Sequence, residues 1–133
     1  AKKTKKKTNQ IKKKERKNKQ VKVVKTESKY LPISARKLRL VVEAAKKMEP
    51  QEAMTKLQFM NKKGAEFLYK TIKTVLADAE HNFEMNKDKL VFDEILVNEG
   101  PTLKRRDKAH GARFYPGMLR KRRSHLVVKV KEK

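Results

Sequence analysis

The segment "LVFDEILVNEGPTLKRRDKAHGARFYPGMLRKRRSHLVVKV", residues 90–130, decides the fold because it places a long basic stretch between two runs typical of β-strands. The two runs, Leu90 to Val97 and His125 to Val130, are rich in β-branched and large apolar residues. Antiparallel neighbours need a turn of only a few residues. The stretch between them, at about 102–123, is therefore predicted to leave the domain as an extended basic β-hairpin.

The length of this hairpin follows from strand geometry. If the strands continue past Pro101 and return into Ser124, each arm has about ten residues and projects about 30 Å, at roughly 3.3 Å per residue. The turn is predicted near "HGARFYPG", residues 110–117, where glycine and proline favour chain reversal. The apolar, aromatic tip can stack on bases, line a passage or form a small hydrophobic turn cluster, and the sequence leaves these alternatives open.

Like charges are predicted to face each other across the hairpin. The expected opposition is Lys104, Arg105, Arg106 and Lys108 against Arg120, Lys121, Arg122 and Arg123. Such pairs destabilise a ribbon by several tenths of a kcal/mol each, and a lone two-stranded ribbon is already marginal. The hairpin is therefore expected to take a fixed shape only against phosphates, whose neutralisation releases counterions.

The net charge is distributed very unevenly. The whole chain carries +23, from 38 Lys and Arg against 15 Asp and Glu. By segment the charge is +12 in residues 1–29, +1 in 30–101, +8 in 102–123 and +2 in 124–133. Two dense cationic arms on a nearly neutral body imply a large polyanionic partner that both arms reach.

Three helices are predicted in the neutral body. Ser34 is a good cap for the first, and Pro50 marks its end and opens the second. Asn61 is predicted to cap the third and longest helix, about 30 Å at roughly 1.5 Å per residue. Its apolar stripe is predicted to be core and consists of Ala65, Leu68, Ile72, Val75, Leu76, Ala79 and Phe83.

The fold class follows from the order of the elements. A short edge strand is predicted at Gln20 to Lys25, with Val21 and Val23 on one side. A parity slip between Phe92 and Ile95 predicts a bulge or a partly two-sided strand. The predicted fold is α+β, a two-layer β-α-α-α-β-β domain with three helices on a small antiparallel sheet and the hairpin as an extension. Residues 1–19 are predicted to be a disordered Lys-rich extension, and residues 20–133 a single domain.

Several classes of function are disfavoured by the composition. The chain has no cysteine, so disulfides, thiolate nucleophiles and cysteine-type zinc sites are excluded. Its three histidines are not arranged as a catalytic pair, and Asp78, Glu80 and His81 are expected to be a solvated helix end rather than a metal site. No enzyme activity, metal or cofactor is expected. No run is long enough to span a bilayer, and the Lys-rich start lacks an apolar face for a membrane surface.

Three segments carry a resemblance to a known family. The stretches "ISARKLRLVVEAAK", "FMNKKGAEFLYKTIKTVLADAEHN" and "NEGPTLKRR...LRKRRSHLVVKV" resemble large-subunit ribosomal protein twenty-two, from about Tyr30 to Val130. The resemblance implies a structural role in the large ribosomal subunit, with a body that binds ribosomal RNA, a hairpin that lines the nascent-peptide exit tunnel, and a part in subunit assembly. The implied partners are large-subunit ribosomal RNA, neighbouring ribosomal proteins and the nascent polypeptide, with no homo-oligomer and no membrane, in the cytoplasm or an organellar ribosome.

The predicted RNA-binding residues combine positions carried over from the resemblance with further basic residues of the hairpin. They are Arg36, Lys37, Arg39, Lys62, Lys63, His81, Asn82, Lys104, Arg105, Arg106, Lys108, His110, Arg113, Arg120, Lys121, Arg122, Arg123, Ser124 and His125. The tunnel-facing tip is predicted to comprise Gly111, Ala112, Arg113, Phe114 and Tyr115, although this tip departs from the usual bacterial run of Arg and Pro. The alternative function is a DNA-bending architectural protein that wedges Tyr115 and Pro116 between base pairs.

Overall fold

The protein is described by a computed structural model that covers residues 22–109 and 117–133. In chain order the elements are β1 (Val23–Leu31), α1 (Ala35–Ala45), α2 (Pro50–Phe59), α3 (Lys63–Phe83), a short 3-10 turn (Lys87–Lys89), β2 (Leu90–Glu99), β3 (Leu103–Arg106), β4 (Met118–Lys121) and β5 (Ser124–Glu132). This order confirms the α+β fold with three helices and a strand pair inserted between the last two strands of the sheet. The predicted N-terminal extension and the hairpin tip lie outside the described residues.

The main sheet is antiparallel and has β5 in the centre, in the order β1-β5-β2. Val24 pairs with Val130 on one side of β5, and Phe92 pairs with Val130 on the other. The register shifts between Phe92 and Glu94, which confirms the predicted bulge. A second irregularity lies in β1 between Ser28 and Leu31, beside the point where the hairpin leaves the sheet.

The helices cover one face of this sheet and form the core with it. Leu38 of α1, Leu68 and Ile72 of α3, and Leu126 and Val128 of β5 are completely buried. They recur at the period of their element, helical or alternating, so each element presents one apolar side to the same interior. Val127, which points to the other face of the sheet, is 4% exposed but lies outside the core cluster.

The helix starts follow from the local sequence, with one correction. Ser34 is the cap of α1 and Pro50 is the first residue of α2, as predicted. The cap of α3 is Lys62 rather than Asn61, because Lys62 has the extended backbone from which the helix begins at Lys63. Phe83 ends α3 and is 43% exposed, so the apolar stripe stops at Ala79 and the predicted last member lies at the helix end.

The first strand extends beyond the predicted segment 20–25, whose first two residues lie outside the described part of the chain, and Val24 rather than Val23 points into the core. β1 runs from Val23 to Leu31, with Val24 2% exposed and Val23 43% exposed. The physical reason is register: Val24 lies opposite Val130 of the central strand, whose core-facing side sets which residues of its neighbour point inward. β1 does lie at an edge of the sheet, as predicted.

Candidate nucleic-acid interface

A cationic cleft of about 580 Å³ lies where the hairpin meets the helical layer. Its lining residues are Pro32, Ile33, Ser34, Lys37, Lys63, Arg120, Lys121, Arg122 and Arg123. Six of these nine side chains are Lys or Arg, and none is Asp or Glu. Residues far apart in sequence therefore form one positively charged concave surface, which we call the root cleft. They lie on and just after β4, just before and within the first turn of α1, and at the start of α3.

The close packing of α1 against α3 positions two of these cations. Gly64 is buried in the first turn of α3, and a Cβ atom placed on it would lie 3.2 Å from a methyl of Val41 and 3.3 Å from one of Ile33. The absence of a side chain lets the start of α3 approach the start of α1 closely. Lys63 and Lys37 consequently reach the same cleft.

The N-terminus of α1 adds a favourable field for anions at this cleft. Ser34 caps the helix by its backbone but makes no side-chain hydrogen bond to it, and the first turn contains no acidic residue. The first N–H groups of a helix lack intrahelical partners and carry partial positive charge. The backbone dipoles at this helix start would therefore favour an anion in the root cleft in addition to the cationic side chains.

The hairpin root is joined to the sheet by four residues. The backbone N–H of Gly100 donates to the carbonyl of Arg123 at 2.8 Å. The guanidinium of Arg123 donates to the carbonyl of Tyr30 at 3.0 Å, and the N–H of Tyr30 donates to Nδ1 of His125 at 3.1 Å. These contacts connect both arms of the hairpin to β1 and so fix the direction in which the hairpin leaves the body.

The hairpin register differs from the predicted one. Described pairs are Leu103 with Lys121, Lys104 with Arg120, Arg105 with Leu119 and Arg106 with Met118. Among these four pairs only Lys104 and Arg120 place like charges directly opposite each other. The predicted opposition was wrong because it left out the apolar residues Met118 and Leu119 of the returning arm. Arg105 and Arg106 each face an apolar partner, which reduces the repulsion that the sequence predicted.

The hairpin cations nevertheless remain exposed. Every residue of β3 and β4 is exposed to solvent. Beyond the ladder, a second concave region of about 570 Å³ is lined by Arg105, Arg106, Asp107, Lys108, Ala109 and Leu119. The carboxylate of Asp107 accepts a hydrogen bond from the backbone N–H of Ala109, two residues later in the same loop, at 3.0 Å.

The ion pairs in the described part of the chain do not include the cations of the root cleft, although Glu66 lies close enough to Lys63 for their charges to interact. Glu66 binds Lys70 and Glu80 binds Lys87, and the hydrogen bond from the lysine lowers the pKa of each carboxyl. Lys129 donates to Glu94 at 2.7 Å on the open face of the sheet, and this bond raises the pKa of the Lys129 amine. The described residues show no ion pair on any cleft cation, so these charges are available to an external anion.

The structure brings together only part of the predicted RNA-binding set. Lys37, Lys63 and the run 120–123 meet in the root cleft. Arg36 and Lys62 are exposed and directly precede the cleft residues Lys37 and Lys63 in sequence. Arg39 donates to the carbonyl of Val97 at 3.1 Å. The cations 104–106 and 108 lie on the hairpin.

Other predicted positions lie elsewhere. His81 and Asn82 are exposed at the far end of α3, about 27 Å from Lys63 along the helix at roughly 1.5 Å per residue. Ser124 is completely buried, so its side chain does not reach the cleft surface. His110, Arg113 and the rest of the predicted tip, 111–115, fall outside the described residues.

Sequence reasoning missed the uncharged floor of the cleft. Pro32, Ile33 and Ser34 line it, yet Ser34 was recognised only as a helix cap and Ile33 carries no signal of its own. The cap itself is the one available signal, because a helix start without an acidic first turn is a favourable neighbour for phosphate.

Comparison with known proteins identifies related chains. A family model described as ribosomal protein L22p/L17e matches residues 26–131. The large ribosomal subunit protein uL22 of Caldicellulosiruptor saccharolyticus is 44% identical over 106 residues, which cover 79% of this chain and 84% of that protein. The protein of the same name from Desulfitobacterium hafniense strain Y51 is 42% identical over 110 residues, covering 82% and 94%. That of Petrotoga mobilis is 41% identical over 107 residues, covering 80% and 70%.

Proposed function

The chain belongs to the ribosomal protein L22p/L17e family, and from this premise we propose that it binds large-subunit ribosomal RNA through the root cleft and the basic hairpin. Family membership makes it a structural constituent of the large ribosomal subunit rather than an enzyme. The same membership favours the ribosomal function over DNA bending. Within the described residues, no helix is both long and apolar enough to cross a membrane.

The observation that carries the RNA proposal is the convergence of six cations on one cleft that has no carboxylate. Holding like charges together is unfavourable unless an anion neutralises them. RNA phosphates do so with a gain in entropy, because each neutralised phosphate releases condensed counterions. Arginine contributes three of the six cleft charges and binds phosphate oxygens in a bidentate fashion.

The test is the salt dependence of RNA binding. Changing Arg120, Lys121, Arg122 and Arg123 together to Gln should reduce the slope of log affinity against log salt by about 3, at about 0.7 to 0.9 per phosphate contact. When salt rises from 50 to 200 mM, the factor by which affinity falls should therefore be about 60 times smaller for the variant than for the parent chain. Filter binding to large-subunit RNA measures both slopes.

A matched control removes the same charge elsewhere. Changing Lys46, Lys47, Lys56 and Lys73 to Gln also deletes four cations, all exposed and away from the cleft lining. This control should retain most of the parent slope. If both quadruple variants behave alike, net charge rather than the root cleft determines binding, and the proposal is wrong.

We further propose that the hairpin lines the nascent-peptide exit tunnel and contacts the nascent polypeptide with its tip, residues 111–115. The support is the family membership, together with a root held rigidly to the sheet and arms whose side chains are exposed. The chain has no cysteine, so Tyr115→Cys introduces one unique attachment point for a photocrosslinker. In ribosomes carrying a stalled chain it should crosslink to the nascent polypeptide, whereas Lys89→Cys, on the body, should not.

The remaining expectations belong to the same proposal. Residues 20–133 act as one RNA-bound domain with the hairpin as its extension, residues 1–19 are an extra cationic arm, and no homo-oligomer forms. The protein resides in the ribosome, in the cytoplasm, among neighbouring large-subunit proteins. Sedimentation through a sucrose gradient tests this placement, since co-migration with nucleoid DNA instead of large subunits would overturn it.

A further inference from the structure

An aromatic pair lies at the hairpin root, beside the residues already described. The rings of Tyr30 and His125 meet edge to face, with centroids 4.9 Å apart and an interplanar angle of 83°. His125 alternates along β5 with Ser124 and Leu126, which are completely buried, so it points to the sheet face that carries no helix. Tyr30 is 57% exposed on this open face.

The backbone of Tyr30 is strained in a way that core packing does not explain. Its φ is 57°, in the left-handed region that bulky residues rarely adopt. A glycine would occupy this conformation without strain, and the exposed tyrosine ring adds little to the interior. The conformation is held by the hydrogen bonds of the Tyr30 backbone to His125 and Arg123. Strain maintained by surrounding contacts is typical of functional positions.

We propose that the exposed Tyr30 ring, held edge to face against His125, is a stacking platform for one unpaired base of the RNA. This inference rests on the proposed function and deepens it. Aromatic rings exposed beside cations bind splayed bases by stacking while the cations bind the backbone. Arg123 supplies the neighbouring cation, since it lines the root cleft and also contacts the Tyr30 carbonyl. RNA that enters the cleft would therefore continue past the root onto the open sheet face.

The surroundings of the pair fit a nucleobase. Asn98 lies directly opposite His125 in the β2–β5 ladder and is exposed on the same face. Its amide offers both a donor and an acceptor, which suits the edge of an unpaired base. Nδ1 of His125 accepts from the Tyr30 N–H, so a neutral ring carries its proton on Nε2 and keeps the orientation that supports the tyrosine.

The experiment compares single-stranded and duplex RNA. The probes are an unstructured 12-nucleotide RNA with a fluorescent label and the same RNA annealed to its complement, bound to the full chain. Tyr30→Leu keeps the bulk and the backbone strain but removes the ring, and should weaken single-strand binding about 10-fold. Tyr30→Phe should change it less than about 2-fold, because stacking needs the ring and not the hydroxyl. Duplex affinity and the salt slope should be unchanged in both variants.

Several outcomes separate this inference from the proposed function. If Tyr30→Leu binds the single strand as tightly as the parent, or loses single-strand and duplex binding equally, the platform is wrong. The proposed function then still stands if the 120–123 variant has the reduced salt slope, and fails if it does not.

A second measurement tests the platform if the Tyr30→Leu chain does not fold. The chain contains no tryptophan, so the indole introduced by Tyr30→Trp is the only one and its fluorescence reports on this position alone. Stacking predicts quenching by the single strand and none by the duplex. Equal quenching by both, or none by either, would overturn the platform.

Discussion

Replacement of Gly100 by alanine should destabilise the protein, because the hairpin root has no room for a methyl group there. A Cβ atom at this position would lie 3.1 Å from both the carbonyl carbon and the carbonyl oxygen of Arg123, and 3.2 Å from Nε2 of His125. The Arg123 atoms belong to the backbone and are held in place, since the Gly100 N–H donates to that carbonyl at 2.8 Å. Relief therefore requires the two arms of the hairpin to separate.

The magnitude follows from two opposing contributions. Overpacking of a tight site costs about 1–3 kcal/mol. The lower conformational entropy of alanine in the unfolded chain returns about 0.4–1 kcal/mol. The φ of Gly100 lies outside the left-handed region, so no further backbone strain is added. A net loss of about 1–2 kcal/mol is expected, equivalent to a decrease in Tm of about 5 °C for a chain of this size.

Thermal unfolding followed by far-ultraviolet circular dichroism measures this loss, and Gly64→Ala is the matched control. A Cβ atom at Gly64 would meet only the side-chain methyls of Val41, Ile33 and Leu38, at 3.2 to 3.4 Å. The strain against these side chains is offset by about 1 kcal/mol because alanine is the better helix former, so the control should stay within about 1 kcal/mol of the parent. A Gly100→Ala chain as stable as the parent would show that the arms are not held at the root as described.

Three more predictions concern other parts of the molecule. Ser124→Ala should leave the stability unchanged or raise it by up to about 1 kcal/mol, because the buried Ser124 hydroxyl has no hydrogen-bond partner among the described residues; a clear loss in urea unfolding would contradict this. Lys87→Met should raise the pKa of Glu80 toward 4.5 in an NMR titration, since the lysine hydrogen bond that lowers this pKa is lost, and an unchanged pKa would refute the assignment. In the parent chain, the stability that this pair contributes is present above pH 4.5 and disappears as the pH falls through the pKa of Glu80 in the folded state. Backbone amides in the ladder between residues 103–106 and 118–121 should exchange hydrogen with solvent rapidly without RNA and slowly with it. The reason is that the ladder has only four pairs and all of its residues are exposed. Strong protection in the free chain would show that the hairpin is stable alone.

The elements of this fold were largely predictable because their signals are local. Helical stripes, the cap at Ser34 and the proline at Pro50 act over one or two turns, and the structure has those helices within a few residues of the predicted bounds. Errors arose where a partner strand decides the outcome. The inward side of β1 depends on pairing with Val130, and the hairpin register places Leu119 opposite Arg105, which no local pattern of the basic run indicated.

The amino-acid sequence alone was sufficient for the segregation of charge, the order of strands and helices, and the family resemblance, since composition and periodicity are properties of the chain before it folds. The root cleft required the tertiary structure. Its six cations come from α1, α3 and the returning arm of the hairpin, and they converge because Gly64 lets two helices approach closely and Arg123 connects the hairpin to β1. The strained Tyr30 has the same origin, because a left-handed tyrosine persists only where contacts from Arg123 and His125, more than ninety residues later in the chain, hold it.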